Sequence, residues 1–169
     1  MTHPLAADLE HILQQTQPLW QELRGQRIFV TGGTGFFGCW LLESLLWAEE
    51  RFRLGLDIWV LARDPDAFCR KVPHLVSHPA IRLHPGDIRT YEAPPGSFAH
   101  VIHAATTPSA TLNDEAPLEM FDVIVDGTRH TLNVARHCAA RSFFYISSGL
   151  VYGRQPAEMT HILEEHAGA

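Results

Sequence analysis

The chain has 169 residues, of which 46% are hydrophobic, so it is long enough to bury the core of one ordinary domain. Its formal net charge of −6, with only 13 Lys and Arg, argues against a main role in neutralising nucleic-acid phosphates. No apolar run approaches the roughly 20 residues that span a bilayer, and residues 1–4 lack the basic start of a secretory signal. We therefore predict a cytoplasmic protein that binds neither nucleic acid nor membrane.

The cysteines and histidines show no metal-binding pattern. The three cysteines, Cys39, Cys69 and Cys138, are far apart and form no Cys-x-x-Cys pair, which favours unreactive thiols in a reducing compartment. The 11 histidines include His74 and His78, a pair flanked by prolines. Because the sequence contains no His-Glu-x-x-His motif and no Cys/His cluster, we predict no metal site.

The N-terminal segment carries the first predicted helix. Residues 5–23 place leucine and isoleucine at helical spacing, with a break expected near Pro18. We interpret residues 1–25 as a helical extension that either packs on the core or makes an oligomer contact. Residues 26–169 form the predicted cofactor-binding domain.

Strands and helices alternate through that domain. Hydrophobic runs predict strands at 27–31, 56–62, 80–84, 100–105 and 142–147. Helices are predicted near 36–50, 65–71 and 116–140. This alternation predicts a parallel sheet with right-handed crossovers.

A glycine-rich loop, Thr-Gly-Gly-Thr-Gly-Phe-Phe-Gly at residues 31–38, joins the first strand to the helix after it. Gly32 permits a tight turn, Gly35 lets a pyrophosphate approach the backbone, and Gly38 lets the helix pack against the sheet. Phosphates are favoured at the free N–H groups of a helix N-terminus. No Gly-Lys-Ser/Thr follows, so the loop is not of the Walker type. It predicts a dinucleotide site.

From about residue 27 onward the sequence resembles the extended short-chain dehydrogenase/reductase family, nearest to its NAD(P)-dependent sugar-nucleotide epimerases and dehydratases. The resemblance rests on ordered motifs: the glycine loop, Gly86-Asp87-Ile88, His103-Ala104-Ala105, Asp126-Gly127-Thr128 and 147–153, Ser-Ser-Gly-Leu-Val-Tyr-Gly. It implies an α/β fold with a Rossmann-type doubly wound parallel sheet, in three layers, α/β/α. It also implies hydride transfer at a sugar carbon of a nucleotide-sugar substrate, and often a homodimer.

The resemblance implies roles for single residues. Asp87 would accept a hydrogen bond from the adenine amino group, with Ile88 beside the ring, and Ala104 and Ala105 would lie under the cofactor. Without a ligand, Asp87 would be a turn residue and the two alanines would be sheet packing. The predicted cofactor-binding residues are Gly32, Thr34, Gly35, Phe36, Phe37, Gly38, Arg63, Asp87, Ile88, Ala104, Ala105 and Thr106.

The family's reaction also needs groups near the substrate. The resemblance implies that Ser148, or Ser147 if the register shifts by one, hydrogen-bonds the reacting oxygen. These enzymes use a Tyr followed four positions later by a Lys that lowers the pKa of the phenol. Here the single lysine is Lys71, and no Tyr-x-x-x-Lys occurs. We therefore expect a chain truncated before that pair and before the C-terminal substrate-binding part, and inactive alone.

The end of the second strand indicates which cofactor is used. An acid there holds the ribose hydroxyls of NAD, whereas an Arg suits the 2′-phosphate of NADP. Ala62 stands at the usual acidic position and Arg63 follows it, which favours NADP over NAD. If the register shifts by two, Asp64 becomes the ribose acid and NAD is favoured. In a third interpretation, Arg63 is only a solvated charge at the strand end.

These observations support one leading hypothesis and two alternatives. The leading one is the cofactor-binding portion of an NAD(P)-dependent sugar-nucleotide epimerase or dehydratase. The second is an NADPH-dependent carbonyl reductase of the same superfamily, which Arg63 supports mildly. The third is a non-catalytic dinucleotide-sensing protein that keeps the glycine loop without the Tyr.

Overall fold

The computed structural model describes residues 3–106 and 114–166. The strands are β1 (Arg27–Thr31), β2 (Asp57–Ala62), β3 (Ile81–Pro85), β4 (His100–His103) and β5 (Ser142–Tyr145). The helices are α1 (Ala6–Trp20), α2 (Phe36–Phe52), α3 (Pro65–Lys71), α4 (Pro73–Val76) and α5 (Pro117–His137). Short 3₁₀ turns cover Gln21–Leu23 and Gly149–Tyr152.

The strands form one sheet in the order β3-β2-β1-β4-β5, with every neighbouring pair parallel. In the register, Phe29 of the central strand lies opposite Trp59 on one side and Val101 on the other. The strand order reverses between β1 and β4, and a crevice outside the carboxyl ends of the strands is expected there. The predicted Rossmann-type doubly wound parallel sheet is confirmed.

Both faces of the sheet are covered. Ile28 and Val30 of β1 pack into an apolar cluster with Leu42 of α2, whereas Phe29 points into a separate cluster with Val134 of α5. This alternation follows from the two-residue period of a strand. Burying each such side chain contributes about 1.5–3 kcal/mol. The result is the predicted α/β/α layering.

The N-terminal helix packs on the domain core. Leu9, Leu13 and Trp20 are buried, and α1 lies against α2. The predicted break near Pro18 is wrong, because α1 continues to Trp20. A proline in the last turn removes one backbone hydrogen bond, and the buried Trp20 side chain holds that turn against the core. This arrangement favours the packing role for α1, and a domain boundary at residue 25 stays a prediction.

Two strands end earlier than the sequence indicates. β4 ends at His103 and β5 at Tyr145, two residues before each predicted end. The ladder stops there because the central partner, β1, ends at Thr31, which pairs with His103. Ala104 and Ala105 consequently leave the ladder at the carboxyl edge of the sheet. Among the described residues, no helix has the length and apolarity that crossing a membrane requires.

Candidate dinucleotide site

A cleft of about 600 Å³ opens at the carboxyl ends of β1, β2 and β4, beside the start of α2. Every residue that the sequence assigned to the cofactor lines it, from Gly32 in the glycine loop to Thr106 after β4. The cleft lies where the strand order reverses, the place at which open parallel sheets bind ligands. The structure therefore brings the predicted cofactor residues together, and their binding roles stay predictions.

Backbone packing requires glycine at two positions of the loop. Gly32 has a φ of +72°, and a Cβ on it would overlap the backbone of Ala104 at the end of β4. A Cβ on Gly38 would overlap the carbonyl oxygen of Gly32 and lie 2.5 Å from the Cα of Gly33. The first turn of α2 is thus pressed directly against the loop that leads into it.

Gly35 differs from these two glycines because its open side faces the cleft. A Cβ on Gly35 would meet only the carbonyl oxygen of Gly32, at 3.3 Å. Gly35 is the N-cap of α2, and neither a capping side chain nor an acidic residue lies in the first turn. The N–H groups at this helix start are left for a ligand, and the helix dipole favours an anion.

Asp87, the predicted adenine contact, lines the cleft as an ionised acceptor. Its Oδ1 accepts hydrogen bonds from the backbone N–H and Nε of Arg89, at 2.9 and 2.8 Å. Hydrogen bonds from Arg89 hold the pKa of Asp87 below its usual value, and the charge of Arg63 lowers it further. The lone pairs that remain on Oδ2, which has one 3.2 Å bond to Arg89, suit an exocyclic amine.

The Asp126-Gly127-Thr128 motif supports the cleft from α5. A Cβ on Gly127 would lie 3.0 Å from Cγ1 of Ile88, so a side chain there would push Ile88 toward the cleft. The Oγ1 of Thr128 lies 3.1 Å from Nε2 of His103. Gly127 thus supports Ile88, which lines the cleft, and Thr128 contacts His103, which directly precedes Ala104 in the cleft lining.

His103 connects the central strands to α5 from a fully buried position. Its side chain is 1% exposed, and its Nδ1 lies 2.8 Å from Oγ1 of Thr31. With Thr128 on the other nitrogen, each threonine hydroxyl can supply or accept the proton that a neutral ring requires. Burial lowers the pKa of His103 to about 4. The ring is therefore neutral at physiological pH.

We expect this neutral ring to make stability depend on pH. The pKa of His103 is about 4 when folded and 6.5 when unfolded, so between those values the unfolded chain binds more protons. Stability is then full above pH 6.5 and falls by about 3 kcal/mol as the pH drops to 4. Urea unfolding at several pH values measures the loss.

The matched variants are His103→Asn and His11→Asn, the latter on the exposed side of α1. The first should reduce the loss of stability between pH 6.5 and 4, and the second should leave that loss unchanged. An NMR titration of the unsubstituted chain gives a second reading, and a His103 midpoint near 6.5 would contradict the assignment.

The two serines follow the end of β5. Ser147 and Ser148 are exposed, and neither lines the cavity. The Ser148 hydroxyl accepts a 3.2 Å hydrogen bond from the backbone N–H of Leu150 and so caps the 3₁₀ turn. A role for either serine at the reacting oxygen therefore stays a prediction.

Of the two residues predicted to choose between the cofactors, Arg63 is exposed directly after β2, and the Asp64 carboxylate caps α3 through a 2.8 Å bond from the N–H of Ala67. Lys71, which the sequence did not assign to the site, also lines the cleft. Its Nζ donates a 2.9 Å hydrogen bond to the carbonyl oxygen of Thr34. The sequence signal that could have identified Lys71 is its place as a basic residue on α3, the helix that follows Arg63.

Comparisons with known proteins agree with this geometry. The chain is 34% identical over 122 residues to the CDP-glucose 4,6-dehydratase of Salmonella typhimurium (strain LT2), which covers 69% of the chain and 32% of that protein. The structure resembles a UDP-N-acetylglucosamine 4-epimerase from Methanobrevibacter ruminantium M1, in complex with UDP-N-acetylmuramic acid (TM-score 0.71, 16% identity, 86% of this chain and 44% of that one).

It also resembles a UDP-glucose-4-epimerase from Stenotrophomonas maltophila with bound NAD and formylated UDP-arabinopyranose (TM-score 0.67, 19% identity, 85% of this chain and 43% of that one). At these identities the solved structures establish the fold alone. The chain thus spans about a third of the dehydratase and less than half of the solved epimerases. Residues 28–167 match the NAD dependent epimerase/dehydratase family. With the glycine loop, the switch-point cleft and this match over most of its length, the chain belongs to the NAD dependent epimerase/dehydratase family.

Proposed function

We propose that the chain binds NAD(P) in the cleft as the cofactor portion of a sugar-nucleotide epimerase or dehydratase. The observation that carries this proposal is the uncapped start of α2, which opens onto a cleft lined by every predicted cofactor residue. The family match favours this function over the alternative of a carbonyl reductase.

Each part of the dinucleotide has a matching group. The N–H groups at the start of α2 suit the pyrophosphate, because Gly35 leaves the approach open. Asp87 suits the adenine amine. Arg63 suits a 2′-phosphate, and Asp64 is already engaged in capping α3, so we propose NADP over NAD.

The bound cofactor would supply the group that accepts a hydride from a sugar carbon. Ser148 would then donate its hydroxyl hydrogen to the reacting oxygen, since that hydroxyl uses only a lone pair in its bond to Leu150. The acid–base Tyr-x-x-x-Lys is not found among the 169 residues. The proposal for this chain is therefore cofactor binding without turnover.

The names of similar proteins, which include CDP-glucose and UDP-sugars, support a proposal for the substrate class. We propose a nucleotide sugar and leave its base and sugar open. The homodimer implied by the family resemblance also belongs to the proposal. It is supported by exposed apolar side chains at helical spacing on α5, namely Leu118, Phe121 and Leu132. The cytoplasmic location stays a prediction.

Calorimetric titration of the chain with NAD⁺ and NADP⁺ tests the proposal. One saturable site per chain is expected, together with a rise in melting temperature, because a ligand that binds only the folded state stabilises it. Incubation of the loaded chain with UDP- and CDP-sugars should give no product. Absence of binding by both dinucleotides would contradict the cofactor role, and product formation would contradict the predicted inactivity.

A further inference from the structure

Three side chains with metal-binding atoms meet between α1, α2 and α4. Nε2 of His3 lies 3.3 Å from Oε2 of Glu43, and Nε2 of His74 lies 2.6 Å from Oε1 of the same carboxylate. The candidate ligand atoms of the three residues all lie within 4.8 Å of one another. Glu43 is the centre of the cluster, with its side chain 11% exposed.

The cluster borders a cavity of about 710 Å³ that shares no lining residue with the dinucleotide cleft. Two further carboxylates, Glu10 and Glu50, and one guanidinium, Arg51, line the same cavity. Arg51 is paired with Glu10 at 3.2 Å. In the described contacts, Glu43 has only histidine partners. The cavity therefore has an excess of negative charge, which attracts a cation.

We propose that His3, Glu43 and His74 bind a zinc ion. Two imidazole nitrogens with one carboxylate form a ligand set that Zn²⁺ uses, whereas Mg²⁺ and Ca²⁺ prefer oxygen alone. Bonds of about 2.0 Å in a tetrahedron place neighbouring ligand atoms roughly 3.3 Å apart. The pair formed by His3 and Glu43 already has this spacing.

The third ligand needs only a small movement. His74 lies 2.6 Å from Oε1 of Glu43, a hydrogen-bond distance, whereas His3 lies against Oε2, so His74 must rotate away from this hydrogen bond to share an ion with them. Its side chain is 52% exposed, so solvent leaves room for that rotation. For Nε2 of His3 to bind zinc, the single ring proton must move from Nε2 to Nδ1, so Nδ1 can no longer accept its 3.2 Å hydrogen bond from the N–H of Leu5.

Such an ion would fasten the N-terminal helix to the domain. His3 directly precedes α1, whereas Glu43 lies in α2 and His74 in α4. Because the unfolded chain does not hold these ligands together, binding of the ion would stabilise the folded state. The expectation of no metal site, drawn from sequence motifs, is thereby replaced by a proposal that rests on tertiary packing.

Zinc titration of the tag-free, chelator-treated chain by calorimetry tests the proposal. We expect one zinc ion per chain and a higher melting temperature. Glu43→Gln and His74→Ala should each weaken the affinity by at least about tenfold, the loss that disturbing a metal site commonly causes. His137→Ala, an exposed histidine in the last turn of α5, is the matched control and should bind as the unsubstituted chain does.

A second measurement locates the ion. The Trp47 ring lies 5.9 Å from the His3 ring, so Ni²⁺ at the site should quench part of the tryptophan fluorescence, and Trp47→Phe should remove that part. Absence of saturable zinc binding would overturn the proposal. Equal zinc affinity in the Glu43→Gln and His74→Ala variants would also overturn it, since the ion would then lie on other histidines.

Discussion

Replacing Gly38 by alanine is expected to destabilise the folded chain by about 3 kcal/mol and to abolish dinucleotide binding with it. The added Cβ would overlap the carbonyl oxygen of Gly32 and the Cα of Gly33. These are backbone atoms of a turn held against β4, so the cost cannot be relieved by rotating a side chain. Urea unfolding measures the stability, and calorimetry with NADP⁺ measures the binding.

Gly35→Ala separates the two effects. Its Cβ would meet a single atom at 3.3 Å, so the fold should survive, whereas the approach of a pyrophosphate to the backbone would be blocked. We expect near-normal stability and an affinity for NADP⁺ at least about tenfold weaker. Gly149→Ala, where nothing lies within 4 Å of the added Cβ, is the matched control. A Gly35→Ala chain that binds as tightly as the unsubstituted one would contradict the assigned phosphate position.

The sequence predicts those features that depend on neighbouring residues. β1 and α3 have the predicted bounds because a hydrophobic run and an Asp-Pro helix start act locally. The glycine loop was recognisable because Gly32 and Gly38 are required by contacts within one strand–turn–helix unit and its adjoining strand. The family resemblance added Asp87 and Ala104, which lie far along the chain from that loop.

Tertiary contacts decide what the sequence could not predict. Pro18 is a helix-breaking signal, but α1 continues to Trp20 because the Trp20 side chain is buried against the core. The bond from Lys71 to Thr34 joins residues 37 positions apart and belongs to no motif. In the sequence His74 lies near His78, whereas its partner in space is Glu43 of α2. Only the packing of helices brings these groups together.

Arg63→Ala is expected to weaken NADP⁺ binding by about ten- to a hundredfold, the usual worth of a hydrogen bond to a charged group, and to leave NAD⁺ binding within about twofold. The 2′-phosphate is the only difference between the two cofactors, and Arg63 is the exposed guanidinium at the end of β2 that lines the cleft. Parallel titrations with NAD⁺ and NADP⁺ give the ratio of affinities directly.

Arg70→Ala on α3 removes the same charge from a position outside the cleft lining and should leave both affinities unchanged. The matched family is described as NAD dependent, and one similar solved structure has NAD bound, so a preference for NAD⁺ is the alternative outcome to test. Tighter binding of NAD⁺ by the unsubstituted chain would contradict the preference for NADP. It would then assign the ribose hydroxyls to Asp64, whose carboxylate would have to serve the ribose and the N-cap of α3 together. In that case Asp64→Asn should weaken NAD⁺ binding, whereas Arg63→Ala should not.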